Sequence, residues 1–349
     1  MRVLVTGHRG YIGSVLTSVL KQARHDVVGL DSDLYEDCDF GRTRDQVPSF
    51  DTDIREIEFT DLLSFDAVIH LAALPEDFEN FIDPAVTWEV NCAATVRLAE
   101  CCKRASVGRF LFASTCAVYG VSGTEPQRED SPSRPMSPYA LAKLCAEEKL
   151  LKLADAGFAP VLLRNATVYG VSPRMRLDTV VNDFVASASA CGRVGVQTNG
   201  LAWRPLIHVE DVARAYAAVL VAPAKLVDRQ VLNLAITEEN YRVVDVADQV
   251  ADLVPGCTRS FRADTPDRRS YFVDGGKLRK ALPHFEWRWT LPHGIRQLRI
   301  AMSGAGLTPS DWRSDRYRRL DRLRGLLQRG DVDADLRPQR REMLTRRSA

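Results

Sequence analysis

Short apolar runs rich in β-branched residues alternate with helical patterns through the first half of the chain. Residues 3–6, 26–31, 67–72, 109–114 and 161–165 are apolar on both faces and bounded by turn residues, the pattern of strands buried inside a parallel sheet. Between them, 12–23, 86–105 and 138–157 carry the amphipathic spacing of helices. Strand and helix in repeated alternation predict an α/β fold with a doubly wound parallel sheet. After residue 170 the pattern turns irregular. Loops rich in Pro, Gly and Arg occupy 172–176, 192–205 and 255–276, broken by helices at 211–220 and 243–253. A smaller domain built over the strand ends accounts for this. At the C-terminus, Tyr317, Leu320, Leu323, Leu326 and Leu327 keep helical spacing within the arginine-rich stretch 311–329, which reads as a solvated amphipathic helix lying on the surface rather than an RNA-binding arm.

Composition narrows the function classes. The 349 residues are 45% hydrophobic and 27% charged, as in an ordinary globular protein. Lys and Arg number 47 against 46 Asp and Glu, so no global field draws the chain to nucleic acid or to a membrane, and any bound anion must be held locally. The eight cysteines include no CxxC pair and have no histidine at ligand spacing, so no metal site is expected. With no signal-like segment and no run of about 18 apolar residues, a cytoplasmic location is expected.

The turn Gly7-His8-Arg9-Gly10-Tyr11-Ile12-Gly13 follows the first strand and opens the first helix. In that context Gly7 permits the tight turn, Gly10 lets the backbone approach a diphosphate, and Gly13 lets the helix pack on the strand. The N–H groups and positive dipole end of the helix face the phosphates. Asp31 stands 18 residues past Gly13, at the end of the second strand. A carboxylate there accepts the ribose hydroxyls of an adenosine and repels a 2′-phosphate, which favours NAD over NADP. Arg9 pulls the other way, since its guanidinium either contacts a 2′-phosphate or is solvated.

Tyr139 and Lys143 stand four residues apart at the start of a helix, on one face. A phenol is a poor base at neutral pH, with an ordinary pKa of about 10, and a nearby cation lowers that value. Upstream, residues 109–115 form a strand ending in the hydroxyls of Ser114 and Thr115. With Asp53-Ile54-Arg55, His70-Leu71-Ala72-Ala73, Ser114 to Gly120, Arg164 to Gly170 and Arg204 to Asp211 in the same order, the chain from Arg2 to Arg299 resembles the extended short-chain dehydrogenase/reductase family of nucleotide-sugar epimerases and dehydratases.

That resemblance implies a Rossmann-type NAD-binding domain over 1–170 that also receives parts of 206–235. It further implies a smaller C-terminal substrate-binding domain over 171–205 and 236–310, leaving 311–349 as a helical, arginine-rich tail. Gly7, Arg9, Gly10, Tyr11, Ile12, Gly13 and Asp31 would hold NAD; Asp53 and Ile54 the adenine; Leu71, Ala72 and Ala73 the cofactor wall. Asn91 would support the site from the fourth helix. Lys143 would bond the cofactor ribose, and Tyr139 would deprotonate a sugar hydroxyl that Thr115 also bonds. Relatives that eliminate water carry acidic residues just after this threonine; Cys116 and Ala117 stand there, so an epimerase inverting C4 through a transient keto sugar is expected. A ketosugar reductase or dehydrogenase using NAD(P) is the alternative, ahead of a dehydratase or a non-enzymatic dinucleotide-sensing protein.

At the substrate end, Arg204 matches the arginine that binds the sugar-nucleotide diphosphate, with a structural ion pair to a residue such as Asp211 as the competing role. Thr167 replaces the family's usual asparagine. Asp264 stands where an arginine is usual, a charge that Arg268 or Arg269 would supply. Cys116, Asn165, Glu76 and Asp77 fall on segments that face the sugar. Arg174 and Arg176 either meet a carboxylate, as in a uronate, or are solvated. Helices 86–105 and 138–157 resemble those that form a four-helix interface, so a homodimer is the expected assembly.

Overall fold

The computed structural model describes residues 1–41, 45–76, 81–261, 267 and 269–339. The first five strands are β1 (Arg2–Thr6), β2 (Asp26–Asp31), β3 (Ser49–Asp51), β4 (Ala67–His70) and β5 (Arg109–Thr115). With Pro160–Asn165 and Val231–Leu234 they make one seven-stranded sheet in which every pairing is parallel. β1 lies inside the sheet, pairing with β2 through Val3↔Val27 and with β4 through Val3↔Ala67. The chain winds outward from β1 through β2 and β3 on one side. On the other side it winds through β4 and β5 to Pro160–Asn165 and Val231–Leu234. The strand order therefore reverses between β1 and β4, and such a reversal opens a crevice at the carboxyl ends of the strands.

Alternation within each strand builds two cores. Val3 and Val5 face one way, against Leu16 and Leu20 of α1 (Tyr11–Gln22) and Val212 and Tyr216 of the helix Val209–Val221. Leu4 between them faces the other way. There it joins Val68, Phe110 and Phe112, covered by the helices that follow β4 and β5. Each such fully buried side chain contributes roughly 1.5–3 kcal/mol, and burial on both faces is why these strands read as continuous apolar runs.

The helix expected over 86–105 starts earlier and is interrupted: α2 (Pro84–Trp88) passes through a π-helical turn, Glu89–Ala93, into α3 (Ala94–Arg104). The wide turn carries Asn91, whose amide accepts from the Leu74 N–H at 2.8 Å and donates to the Leu74 carbonyl at 3.2 Å. Helix α4 (Pro138–Leu153) stops short of the expected 157 because the Asp155 carboxylate takes the N–H groups of Gly157 and Phe158 and turns the chain.

A third core, including Phe184, Val185, Val246, Val250, Ile295 and Leu298, lies beneath the smaller sheets. One of these sheets joins Asn240–Arg242, Trp203–His208 and Thr167–Tyr169; another pairs Ser270–Val273 with Val121–Gln127. The C-terminal stretch departs from the expected single solvated helix. It breaks into Pro309–Arg313, a 3-10 turn Asp315–Tyr317 and Arg319–Arg329, and Leu323 and Leu326 enter the second core. Among the described residues no helix is long and apolar enough to cross a membrane, and no group of His, Cys, Asp and Glu is arranged to hold a metal ion.

The turn into α1 leaves no room for a side chain at Gly13, where a Cβ would lie 2.1 Å from the Gly7 carbonyl oxygen and 2.7 Å from the His8 Cα. Both neighbours are backbone and cannot rotate away. Gly13→Ala should therefore cost about 1–3 kcal/mol in urea unfolding. Gly123→Ala, at a position with nothing within 4 Å, should stay within about 0.5 kcal/mol.

Candidate active site

The crevice at the strand ends is a cleft of about 570 Å³. Its floor is the turn between β1 and α1. Gly7 adopts a φ of +70° there, and a Cβ on it would meet the Ala72 nitrogen at 2.8 Å. Gly10 caps α1 with extended backbone and no side-chain bond, so the N–H groups of the first turn are free to meet an anion. Gly10, Tyr11, Ile12 and Gly13 line the cleft on this side, with Leu71, Ala72 and Ala73 beyond β4.

At the end of β2, Asp31 accepts from the Arg9 and Asp33 N–H groups, each at 2.9 Å, which orients its carboxylate at the cleft wall. Burial raises its pKa, against those two hydrogen bonds. The guanidinium of Arg9 does not line the cleft. It is drawn to Asp33 at 3.2 Å, Ser49 at 3.0 Å and Asp51 at 2.5 Å, so it is held by carboxylates outside the cleft lining. Asp53 and Ile54 line the next section. Burial would raise the Asp53 pKa, but Arg55, bonded at 2.9 and 2.8 Å, holds it below its ordinary value. A glycine floor that tolerates no side chain, free helix N–H groups and a fixed carboxylate beside them fit NAD.

Opposite lie Thr115, Tyr139 and Lys143. Thr115 ends β5 and caps the 3-10 turn Cys116–Tyr119, its Oγ accepting from the Ala117 N–H at 3.1 Å. Its hydroxyl lies close enough to Tyr139 to favour the phenolate. Ser137 caps α4, accepting from the Ala140 N–H at 3.2 Å and donating to Glu76 at 3.0 Å. That cap sets Tyr139 in the first turn and Lys143 one turn later, Nζ 6.0 Å from the Tyr139 ring centroid. Lys143 donates to the Ala113 carbonyl at 2.8 Å and is 1% exposed. Burial lowers its pKa to about 7, against the attraction of Glu147. The phenol of Tyr139 is correspondingly not lowered in the protein alone: burial raises it, Glu76 adds to that, and Arg176 and the nearby Thr115 hydroxyl oppose it.

Of the expected sugar-side residues, Glu76, Asn165, Thr167, Arg176, Arg204 and Arg269 line the same cleft. Arg204 pairs with Asp267 at 2.5 Å, not with Asp211, which holds Arg214 and the N–H groups of Arg288 and Trp289. Arg269 pairs with Glu76 at 2.8 Å. Arg176 is not simply solvated, since Asp178 takes its Nε at 2.9 Å.

Three expectations fail on packing. Cys116 is fully buried with its thiol donating to the Arg164 carbonyl, so it is core rather than substrate wall. Arg174 is also fully buried and lies behind the cleft, paired with Asp33 at 3.3 Å and Asp39 at 3.5 Å. Asn91 is buried on the π turn between α2 and α3, not on a fourth helix, and holds the Leu74 backbone without lining the cleft. Asp77 and Arg268 lie outside the described residues. The cleft also gains Tyr35, Arg55, Asp178, Tyr271 and Arg319, which sequence reasoning does not assign. Arg55 adjoins Asp53 and is within reach of the motif; the others arrive from distant segments.

Lys143 gives the site a measurable pH signature. Between its folded pKa near 7 and its ordinary value of about 10.4, the unfolded chain holds a proton that the folded cofactor-free protein does not. Folding stability should therefore rise with pH from 7 to 9, by about 1 kcal/mol per pH unit from this group. Lys143→Met should lose that slope in chemical unfolding curves taken at pH 7, 8 and 9.

The family model of the NAD-dependent epimerase/dehydratase family matches residues 3–235. The UDP-glucose 4-epimerase of Azospirillum brasilense is 32% identical over 242 residues, covering 63% of this chain and 68% of that one. The Bacillus subtilis UDP-glucose 4-epimerase is 26% identical over 329 residues, covering 85% and 94%. Among solved structures, MoeE5 in complex with UDP-glucuronic acid and NAD aligns with a TM-score of 0.75 at 29% identity, over 87% of this chain and 100% of that one. The UDP-glucose 4-epimerase of Thermus thermophilus in complex with NAD aligns at 0.73 and 27%, with the same coverage. With a doubly wound fold, a cleft that fits the dinucleotide and a family match over two thirds of its length, the chain belongs to the NAD-dependent epimerase/dehydratase family.

Proposed function

We propose that the protein is a nucleotide-sugar epimerase that inverts C4 through a keto intermediate. The observation that carries this reading is that Thr115 and Tyr139 line the cleft together, close enough for Thr115 to act on the phenol, with Thr115 on a turn whose next two residues offer no acid. Ala117 has no proton to give, and Cys116 is turned into the core. Glu76, whose charge acts on Tyr139, already bonds Ser137 through one oxygen and Arg269 through the other. Elimination of water needs a free acid at this place; inversion does not.

In this reading Thr115 and Tyr139 grip one sugar hydroxyl, and Tyr139 takes its proton as the carbon is oxidised. Bound NAD supplies the acceptor and donor of the carbon-bound hydrogen and a positive charge that favours the phenolate. Tyr139 then returns the proton to the oxygen of the inverted carbon. Arg204, fixed by Asp267, and Arg269 provide forked donors for the substrate diphosphate. A second substrate reading rests on Arg176. It stands close enough to Tyr139 for its charge to favour the phenolate, and a hexuronate carboxyl would meet it there, in keeping with the UDP-glucuronic acid bound by MoeE5.

The test is to incubate the protein with UDP-, GDP-, CDP- and dTDP-sugars, UDP-glucuronate included, without added cofactor, and to read each sugar by NMR. At least one should appear as its C4 epimer. Tyr139→Phe should slow that conversion by about 10²-fold or more. Unchanged sugars together with stoichiometric oxidation of added NADH by a keto sugar would make the protein a reductase instead.

A further inference from the structure

The family match ends at residue 235, yet one end of the cleft is finished by Leu320 and Leu336 from the C-terminal tail. In the helix Arg319–Arg329, Leu320 stands one turn before Leu323 and two turns before Leu327, on the face that enters the second core. Leu323 is fully buried there, whereas Leu320 is only partly buried and borders the cleft. The tail is tied to both sides of this end. On one side Arg322 and Arg316 donate to the carbonyls of Glu36 and Asp39, at 2.8 and 2.6 Å, in the segment after β2. On the other, Arg337 pairs with Glu56 and, at 3.2 Å, with Glu89. Next to Arg337, Leu336 holds left-handed backbone with a φ of +56°, which a leucine keeps only where its surroundings over-determine it. Here the Leu336 N–H donates to the Asp333 carbonyl at 3.0 Å, and the Asp333 carboxylate takes the N–H groups of Asp335 and Arg337.

The order of groups along the cleft identifies the part of a dinucleotide that lies here. The free N–H groups at the start of α1 suit the diphosphate. Tyr139 and Lys143, which can move a proton, mark the nicotinamide end, and Asp31 at the end of β2 suits the ribose hydroxyls of the other half. Leu320 and Leu336 share the lining with Leu34 and Tyr35 from after β2 and with Ile54 from after β3, and the ties of the tail run to these same two segments. The nearby polar groups are already engaged. Arg55 holds Asp53, and the Arg319 guanidinium lies 4.2 Å from the Tyr35 ring centroid. Leu34, Tyr35 and Leu320 are packed on the second core but keep part of their surface outside it. A sugar or a phosphate gains little from such a surface, whereas the flat face of a purine gains by removing it from water.

We propose that the C-terminal tail completes the adenine subsite: Leu320 covers the base from the tail side, and the turn carrying Leu336 closes the end of the slot. Leu323 and Leu326, seated in the core beneath β1, anchor the helix that carries Leu320. The tail is then part of the cofactor site rather than a surface appendage. This inference rests on dinucleotide binding alone and is independent of which sugar reaction the site performs.

The experiment uses the full-length chain with Leu320→Ala and Leu320→Met variants. Because Leu320 is partly exposed, its truncation leaves the core filled by Leu323 and Leu326. Binding of NADH and of reduced nicotinamide mononucleotide, which lacks the adenosine half, is followed by fluorescence, and NADH is displaced with ADP-ribose or UDP. Loss of the apolar cover should weaken NADH and ADP-ribose about fivefold in Leu320→Ala, and Leu320→Met should stay within about twofold of the native chain. The mononucleotide and UDP should be unaffected in both. An equal loss for the mononucleotide would make Leu320 a support of the whole cleft, and a loss confined to UDP would put the tail on the substrate side. Either result, or no change in NADH and ADP-ribose, overturns the proposal. Because no sugar turnover enters the readout, its failure is distinguishable from failure of the epimerase reading.

Discussion

The ion pair between Glu147 and Arg164 holds the reactive part of the molecule together. The two groups meet at 2.7 Å with side chains only 3% and 6% exposed. Glu147 also accepts from the Ser114 hydroxyl, and Arg164 also donates to the Tyr119 hydroxyl at 3.0 Å. Four segments are tied at this one point: β5, the turn after it, α4 and the strand Pro160–Asn165. They carry Thr115, Tyr139 with Lys143, and Asn165. A buried pair adds little net stability, but removing one partner leaves a bare charge and costs about 3–5 kcal/mol. The network therefore fixes geometry more than it deepens the fold, and it explains how a phenol and a threonine hydroxyl from different elements come to line one cleft.

The electrostatics of the cleft follow from burial and local pairing, in a chain whose overall charge is close to neutral. Arg176, Arg204, Arg269 and Arg319 reach the walls, and the first three are each oriented by a carboxylate. Fixed forks of this kind suit two diphosphates, one on the dinucleotide and one on the substrate. In the proposed reading Asp31, at the cleft wall, is the counterpart at the adenosine end. The Arg9 guanidinium beside it is neutralised by Asp33 and Asp51. His70, buried between Thr6 and Thr95, has a pKa lowered to about 3 by burial and the Lys143 charge, so it adds no positive charge of its own.

What can be read from the sequence is what is encoded locally. Each core strand announces itself by its apolar run, and the glycine turn is identifiable because three glycines, a strand and a helix fall within a dozen residues. Side-chain direction across long separations is not legible. Arg174 and Arg176 are two residues apart on one loop, yet one lies buried behind the cleft and the other lines it, a difference set by Asp33 and Asp39 from after β2. Cys116 follows Thr115 directly but takes the opposite side of the turn. Arg319 reads as one more solvated arginine in a basic helix, and its burial depends on Tyr35 and the Arg174 carbonyl, both from distant segments. The π turn at Asn91 has no periodicity of its own within the helical stretch.

If the proposed inversion is right, hydrogen leaves a sugar carbon and returns to the same carbon within the cleft that Tyr139 and Thr115 line. Deuterium placed on the reacting carbon of whichever nucleotide sugar the protein converts should then remain at that carbon in the epimerised product, and none should enter from deuterated water. Exchange of the label with solvent, or its appearance in free cofactor added to the reaction, would contradict it.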